Sequence, residues 1–165
     1  MKNKVGIITF HRALNYGALL QAFALRAAVN ELGTCADIID YRNDFLEEMY
    51  EYPRYFSQRG VKNRIRYILY SRIEKEKRKR FEVFRQQYLG TSAEGGYKKD
   101  DLYKLNSCYD AFFTGSDQVW SPHAHKLDGS FFLDFVDDSK KKYSYAASFG
   151  VAFIKKDYYG LYKSW

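Results

Sequence analysis

The run Tyr109-Asp110-Ala111-Phe112-Phe113-Thr114-Gly115-Ser116-Asp117-Gln118-Val119-Trp120 limits what this chain can fold into more than any other stretch. Ala111, Phe112 and Phe113 form a continuous apolar run, the pattern of a strand covered on both faces in a parallel sheet. Gly115 and Ser116 end that strand. Asp117 and Gln118 follow at its carboxyl end, the edge where open α/β sheets bind ligands. Backbone N–H groups in such a turn can hold an anion, and a carboxylate beside a carboxamide can read sugar hydroxyls. The same two side chains could instead only cap the next element. Position alone leaves both readings open.

A length of 165 residues suffices for one domain with a proper core, and 46% hydrophobic with 28% charged is ordinary soluble globular material. No apolar run approaches the length needed to cross a bilayer. Met1 to Lys4 followed by Val5 to Phe10 is too short for a signal peptide and reads as a first strand. Cys35 and Cys108 stand far apart without a CxxC or Cys/His cluster, so the expectation is two buried free thiols in a reducing cytosol, with no metal bound. His123-x-His125 has no third ligand nearby in sequence and reads as exposed loop histidines.

After the first strand, His11-Arg12-Ala13-Leu14-Asn15-Tyr16-Gly17 leads into a helix over roughly Gly17 to Leu32. Leu20, Ala24, Ala27, Ala28 and Leu32 form its expected apolar stripe, and Gly33 closes it. The loop lacks G-x-G-x-x-G, so no dinucleotide fingerprint is present. A helix N-terminus beside His11 and Arg12 still suits an anion, although Asn15 could be only a cap and His11 a half-buried loop residue. Ala36 to Tyr41 is the second strand, and Asp40 at its exit is expected to pair with Arg42. Asn43 to Gly60, broken by Pro53, is irregular and could cover a cleft. Val61 to Leu89 is a long helical stretch, expected to break near Ser71, with a stripe of Ile65, Leu69, Ile73, Phe81, Phe84 and Tyr88. Lys98 to Leu105 is a helical turn, and Phe131 to Val136 an apolar segment. Lys142 to Ser148 is a further strand ending in small residues before Gly150, where a ligand can approach closely.

The positive charge is local. Arg54 to Arg85 carries twelve Lys/Arg against three Glu, while the whole chain carries +7, so the rest is slightly acidic. This segment is either a solvated face, a dock for anionic membrane lipids or a nucleic-acid patch. The last reading lacks any nucleic-acid-binding motif.

Several motifs share one likeness. Gly6-Ile7-Ile8-Thr9-Phe10-His11, Asn15-Tyr16-Gly17-Ala18-Leu19-Leu20-Gln21-Ala22, Phe113 to Trp120, Phe132-Leu133-Asp134-Phe135-Val136 and Ser144-Tyr145-Ala146-Ala147-Ser148-Phe149-Gly150 together resemble the polysaccharide pyruvyl transferase family, in order and spacing, over nearly the whole chain. The resemblance implies an α/β, Rossmann-like parallel sheet with flanking helices, the amino-terminal half of a glycosyltransferase-B-like two-domain enzyme. Residues 1–165 would form that domain, with a basic helical insertion at about 54–89. Tyr158, Leu161, Tyr162 and Trp165 lie at helical spacing where the chain stops, so the expectation is a fragment whose carboxyl-terminal domain is missing and which is inactive alone.

The implied reaction moves the enolpyruvyl group of phosphoenolpyruvate onto two hydroxyls of a sugar, in a surface polysaccharide or its lipid-linked precursor, with no cofactor. On this half the resemblance implies Asp117 as the group touching a reacting hydroxyl. It also implies substrate binding by His11, Arg12, Asn15, Tyr16, Gly115, Ser116, Gln118, Ser148 and Gly150. The expected partners are phosphoenolpyruvate, a saccharide acceptor and an anionic membrane met through 54–85, with no nucleic acid. The expected place is the cytoplasm or the inner membrane face. A nucleotide-sugar glycosyltransferase of the same fold, or a non-catalytic binding or membrane-docking half-domain, is the alternative.

Overall fold

The computed structural model describes residues 2–49, 61–91, 95–123 and 126–165. Four parallel strands, β1 (Lys4–Ile8), β2 (Cys35–Ile38), β3 (Ala111–Gly115) and β4 (Lys142–Tyr145), form one sheet in the order β2-β1-β3-β4. Register pairs Val5 with Ala36 and Ala111, and Phe112 with Lys142. The expected parallel α/β sheet is therefore present, and the apolar run at 111–113 is one of its two central strands.

Each face of the sheet carries its own core. On one, Val5, Ile7, Ala36 and Ile38 pack against α1 (Tyr16–Glu31) and against Phe81 and Leu89. On the other, Ile8, Ile39 and Phe112 meet Leu102 and Leu105 of a 3₁₀ segment (Lys99–Ser107) and Phe131 and Leu133 of the chain between β3 and β4. Both central strands are thus covered on two sides, which is why their sequences are apolar without alternation.

Several expected details are corrected. The α1 stripe is out of phase: Ala18, Leu19, Ala22, Leu25 and Val29 are buried, whereas Leu20 and Leu32 are 56% and 81% exposed and Ala24 and Ala28 face solvent. An alanine-rich helix offers several apolar faces, and packing on the sheet selects one. Gly33 does follow the helix in the left-handed region, φ +84°. The first strand ends at Ile8 rather than Phe10, and β4 ends at Tyr145, where Ala146 turns with φ +48°. Helix α2 (Asp44–Met49) lies in the stretch expected to be irregular. Pro53 and the rest of that stretch lie outside the described residues.

Helix α3 (Val61–Phe84) runs through Ser71 without a break and ends in a π-helical turn (Arg85–Leu89) closed by Gly90. Phe81 and Leu89 are both buried. In a regular α-helix, residues eight apart lie about 80° apart around the axis; the wider π turn reduces that offset and sets Leu89 over the sheet with Phe81. Ile73 is 68% exposed and Tyr88 is also exposed, so they leave the expected stripe; Ile65 and Leu69 lie outside the described side chains. Cys35 and Cys108 are exposed, not buried. Near the end, α4 (Tyr159–Ser164) is a short helix.

Candidate active site at the carboxyl edge of the sheet

The chain leaves β1 toward β2 on one side and comes back to β3 on the other, so strand order reverses between β1 and β3. That reversal opens a crevice outside their carboxyl ends. Two groups of predicted residues meet this edge, and their environments differ.

The loop after β1 is wired inward. His11 is buried, with Nδ1 3.0 Å from the Thr9 carbonyl and Nε2 2.9 Å from Asp40 Oδ1. Both ring nitrogens thus face acceptor oxygens. Arg12 grips Asp40 with two bonds, Nε to Oδ1 and Nη2 to Oδ2, each 2.7 Å, and its Nη1 lies 3.7 Å from Glu47. Burial pushes the Asp40 carboxyl up, but the bonds from His11 and Arg12 outweigh it and hold the group at about 2. The expected Asp40–Arg42 pair is therefore replaced. Arg42 lies 3.7 Å from Glu47, because β2 delivers Asp40 directly against the loop that leaves β1. Asn15 is the helix cap: its Oδ1 accepts from the Gly17 and Ala18 N–H groups at 2.8 and 3.3 Å. Beside it Tyr16 is 66% exposed, with its ring 4.7 Å from that of Phe81.

The turn after β3 is laced to the segment after β4. Ser116 N–H donates to the Tyr145 carbonyl at 2.8 Å, Ser148 N–H to the Asp117 carbonyl at 3.1 Å, and Trp120 N–H to the Ser148 carbonyl at 3.1 Å. Gly115 has φ +119°, and a Cβ there would lie 2.3 Å from the Tyr145 oxygen. Only glycine fits so close an approach in that conformation. Gly150, φ +63°, lies against the Gln118 side chain, whose Cδ and Oε1 would each be 2.4 Å from an added Cβ. Asp117 Oδ1 accepts the Gln118 N–H at 2.7 Å, while its Oδ2 takes no hydrogen bond from a described residue. Gly115, Ser116, Asp117, Gln118, Ser148 and Gly150 thus form one surface, with Gln118, Ser148 and Gly150 open to solvent and Asp117 half-buried.

Sequence reasoning missed two features beside this surface. An aromatic wall rises from it: Trp120 stacks on Phe132 at 5.3 Å and meets Phe149 at 5.6 Å, and Phe149 meets Tyr162 at 5.3 Å. Trp120, Phe149 and Tyr162 stand far apart in sequence without any common period, and only the fold shows that these rings converge. The second is a buried carboxylate, Asp128. It accepts from the Tyr41 hydroxyl, from Asn43 Nδ2 at 2.7 Å and from the Ser130 N–H at 3.0 Å, with Lys99 Nζ 3.3 Å away. Burial pushes Asp128 up, yet these bonds bring it below the usual carboxylate range; Asp134 nearby is raised, chiefly by burial. His123 is exposed and His125 lies outside the described residues. Among the described residues no group of His, Cys, Asp or Glu is placed to hold a metal ion, and no helix is long and apolar enough to cross a membrane.

A family model described as polysaccharide pyruvyl transferase matches residues 15–165. That span contains the whole turn after β3 and the segment after β4, whereas His11 and Arg12 precede it. No curated protein and no solved structure matches the chain.

Proposed function

Since the chain belongs to the polysaccharide pyruvyl transferase family, we propose that it forms the acceptor-binding half of an enzyme that transfers the enolpyruvyl group of phosphoenolpyruvate to a sugar of a surface polysaccharide or its lipid-linked precursor. In that reaction two sugar hydroxyls form C–O bonds to the central carbon of the donor. The methylene carbon takes a proton and becomes a methyl group, and the bond to the phosphate oxygen breaks. The two hydroxyl protons are balanced by the new methyl group and the released phosphate.

The observation that carries the acceptor assignment is Asp117. Its carboxylate sits at the crevice with one oxygen fixed by the next backbone N–H and the other without a partner among the described residues. Such a group can orient a sugar hydroxyl and accept its proton. Gln118, Ser148 and Ser116 offer further polar contacts, and the Trp120–Phe149 wall supplies an apolar face for sugar C–H groups. We assign His11 and Arg12 to shaping this edge through Asp40, with Asn15 and Tyr16 bordering it. The cations for phosphate and carboxylate belong, on this reading, to a second Rossmann-like domain in a glycosyltransferase-B-like arrangement, and the 165-residue chain alone turns nothing over.

Asp117→Asn in the two-domain protein tests this assignment. The fold should persist while turnover falls by about 10²–10⁴, the contribution of a positioned acid or base. Near-normal turnover at unchanged melting temperature would leave Asp117 as a cap, since Asn caps nearly as well as Asp.

The basic segment favours a further partner. Along α3, Arg72, Lys75, Lys79 and Arg80 are exposed. Exposed cations in this number suit the anionic inner membrane face, where lipid-linked saccharides are built, and we place the enzyme there peripherally or in the adjoining cytoplasm.

A further inference from the structure

A separate cavity of about 620 Å³ opens beyond the carboxyl end of β2. Its size falls within the roughly 300–1,000 Å³ of small-molecule sites. It lies about two strand spacings from the turn after β3, roughly 10 Å along the sheet edge. Its floor is the Asp128 network, in which Asp128 and Asn43 are both more than nine-tenths buried. Its sides carry ion pairs. Lys98 pairs with Asp44, and Lys99 lies between Asp128 and Asp134 at 3.3 and 3.7 Å. Glu48, Asp100 and Lys126 are exposed at the wall and make no ion pair with a described residue. Phe45 adds a half-buried ring.

The charges decide the class of ligand. Arg42, Lys98, Lys99 and Lys126 face Asp44, Glu48, Asp100 and Asp128, so the lining is neutral overall. Lys98 and Lys99 already face carboxylates, and the unpaired carboxylates Glu48 and Asp100 outnumber the unpaired Lys126, so the lining offers an anion little net attraction. A neutral polyhydroxylated ligand needs no such attraction, because each ion pair presents a donor and an acceptor side by side and a hydroxyl can serve both. The Phe45 ring then meets the apolar face of a pyranose.

We infer that this cavity is a second saccharide subsite, gripping a sugar unit of the acceptor away from the one that is modified. The inference rests on the reading of the turn after β3 as the acceptor wall. It makes the chain a reader of extended saccharides and not of single sugars: one unit lies over Asp117, and another is seated between Lys99 and Lys126.

Backbone amide shifts of the isotope-labelled 165-residue chain, titrated with maltotriose, chitotriose and mannotriose and separately with inorganic phosphate, test it. At least one trisaccharide should shift the amides of Lys99, Asp100, Lys126 and Leu127, and phosphate at equal concentration should not. The double variant Asp100→Ala/Lys126→Ala removes two exposed groups and should weaken that trisaccharide at least about tenfold, as loss of hydrogen bonds to charged groups does, with the rest of the spectrum unchanged. Shifts caused by phosphate and by no trisaccharide, no shifts at these amides, or full affinity in the double variant would each overturn the subsite. Shifts at 115–118 report on the acceptor wall independently. A sugar that moves the cavity amides and leaves 115–118 still sinks the acceptor reading alone, and the reverse pattern sinks the subsite alone.

Discussion

Gly115 ties the fold and the proposed site to one missing carbon. With φ +119° and the Tyr145 oxygen 2.3 Å from where a Cβ would stand, Gly115→Ala must either move β4 or abandon the turn. The Ser116–Tyr145 hydrogen bond resists the first course. The expected cost is about 2–4 kcal/mol, read as a fall of roughly 5–15 °C in melting temperature; an unchanged transition would mean that the turn is more adaptable than its geometry implies. Asp40 gives a second residue-scale expectation, in pH. Its carboxyl is held at about 2 against an ordinary 3.8. The folded value is the lower one, so its stabilisation is fully present above about pH 4 and lost as pH falls toward 2. It amounts to about 2 kcal/mol. Urea unfolding of wild type and Asp40→Asn should therefore differ at pH 6 and converge near pH 2. A difference that stays constant over that range would detach Asp40 from His11 and Arg12.

Among the elements, legibility followed how many faces each one buries. The strand at 111–115 was plain in sequence because a run of apolar residues covered on both sides needs no phase. Helix α1 was visible as a helix, yet its buried face was misread by one residue, since Ala and Leu surround it and only contact with the sheet distinguishes Leu19 from Leu20. At the end of α3 the five-residue π turn is not marked by any feature of the apolar pattern, so the setting of Leu89 relative to Phe81 could not be read. The Asp40 clamp was missed for a simpler reason: sequence proximity suggested Arg42, while strand pairing brings His11 and Arg12 from 28–29 positions away. Of the site, the residues at 115–118, 148 and 150 could be read because glycines and small polar residues mark a strand exit. The Asp128 network could not, because its members Tyr41, Asn43 and Lys99 meet only across the fold. Phe81 gives this scale its test. It is 1% exposed and joins α3 to α1 through the Tyr16 ring and to the sheet core. Phe81→Ala should cost about 3–5 kcal/mol in urea unfolding. A loss below about 1 kcal/mol would show that α3 is a loosely attached insertion and not part of the core.

At the scale of the whole molecule, charge is distributed as unevenly as burial. The segment from Arg54 to Arg85 holds an excess of nine positive charges on a chain of net +7. Along the described part of α3 three acids are already matched within the helix, Glu74 by Arg78, Glu76 by Arg80 and Glu82 by Arg85. Arg72, Lys75 and Lys79 are exposed, form no ion pair with a described residue, and fall within about 60° of one another around the helix. Each basic residue near an anionic bilayer contributes on the order of 1 kcal/mol, so three together give reversible attachment that salt should screen. Co-sedimentation with vesicles containing about a third phosphatidylserine is expected at 50 mM salt, to fall severalfold at 500 mM, and to be absent with neutral phosphatidylcholine vesicles. Arg72→Glu/Lys75→Glu/Lys79→Glu should remove it while leaving the melting temperature within a few degrees, because these side chains lie on the solvent side of α3. Binding that is equal on neutral and anionic vesicles would point to the apolar side chains alone. No binding to either would make the basic face a solvated one, with lipid-linked acceptors reaching the crevice from solution.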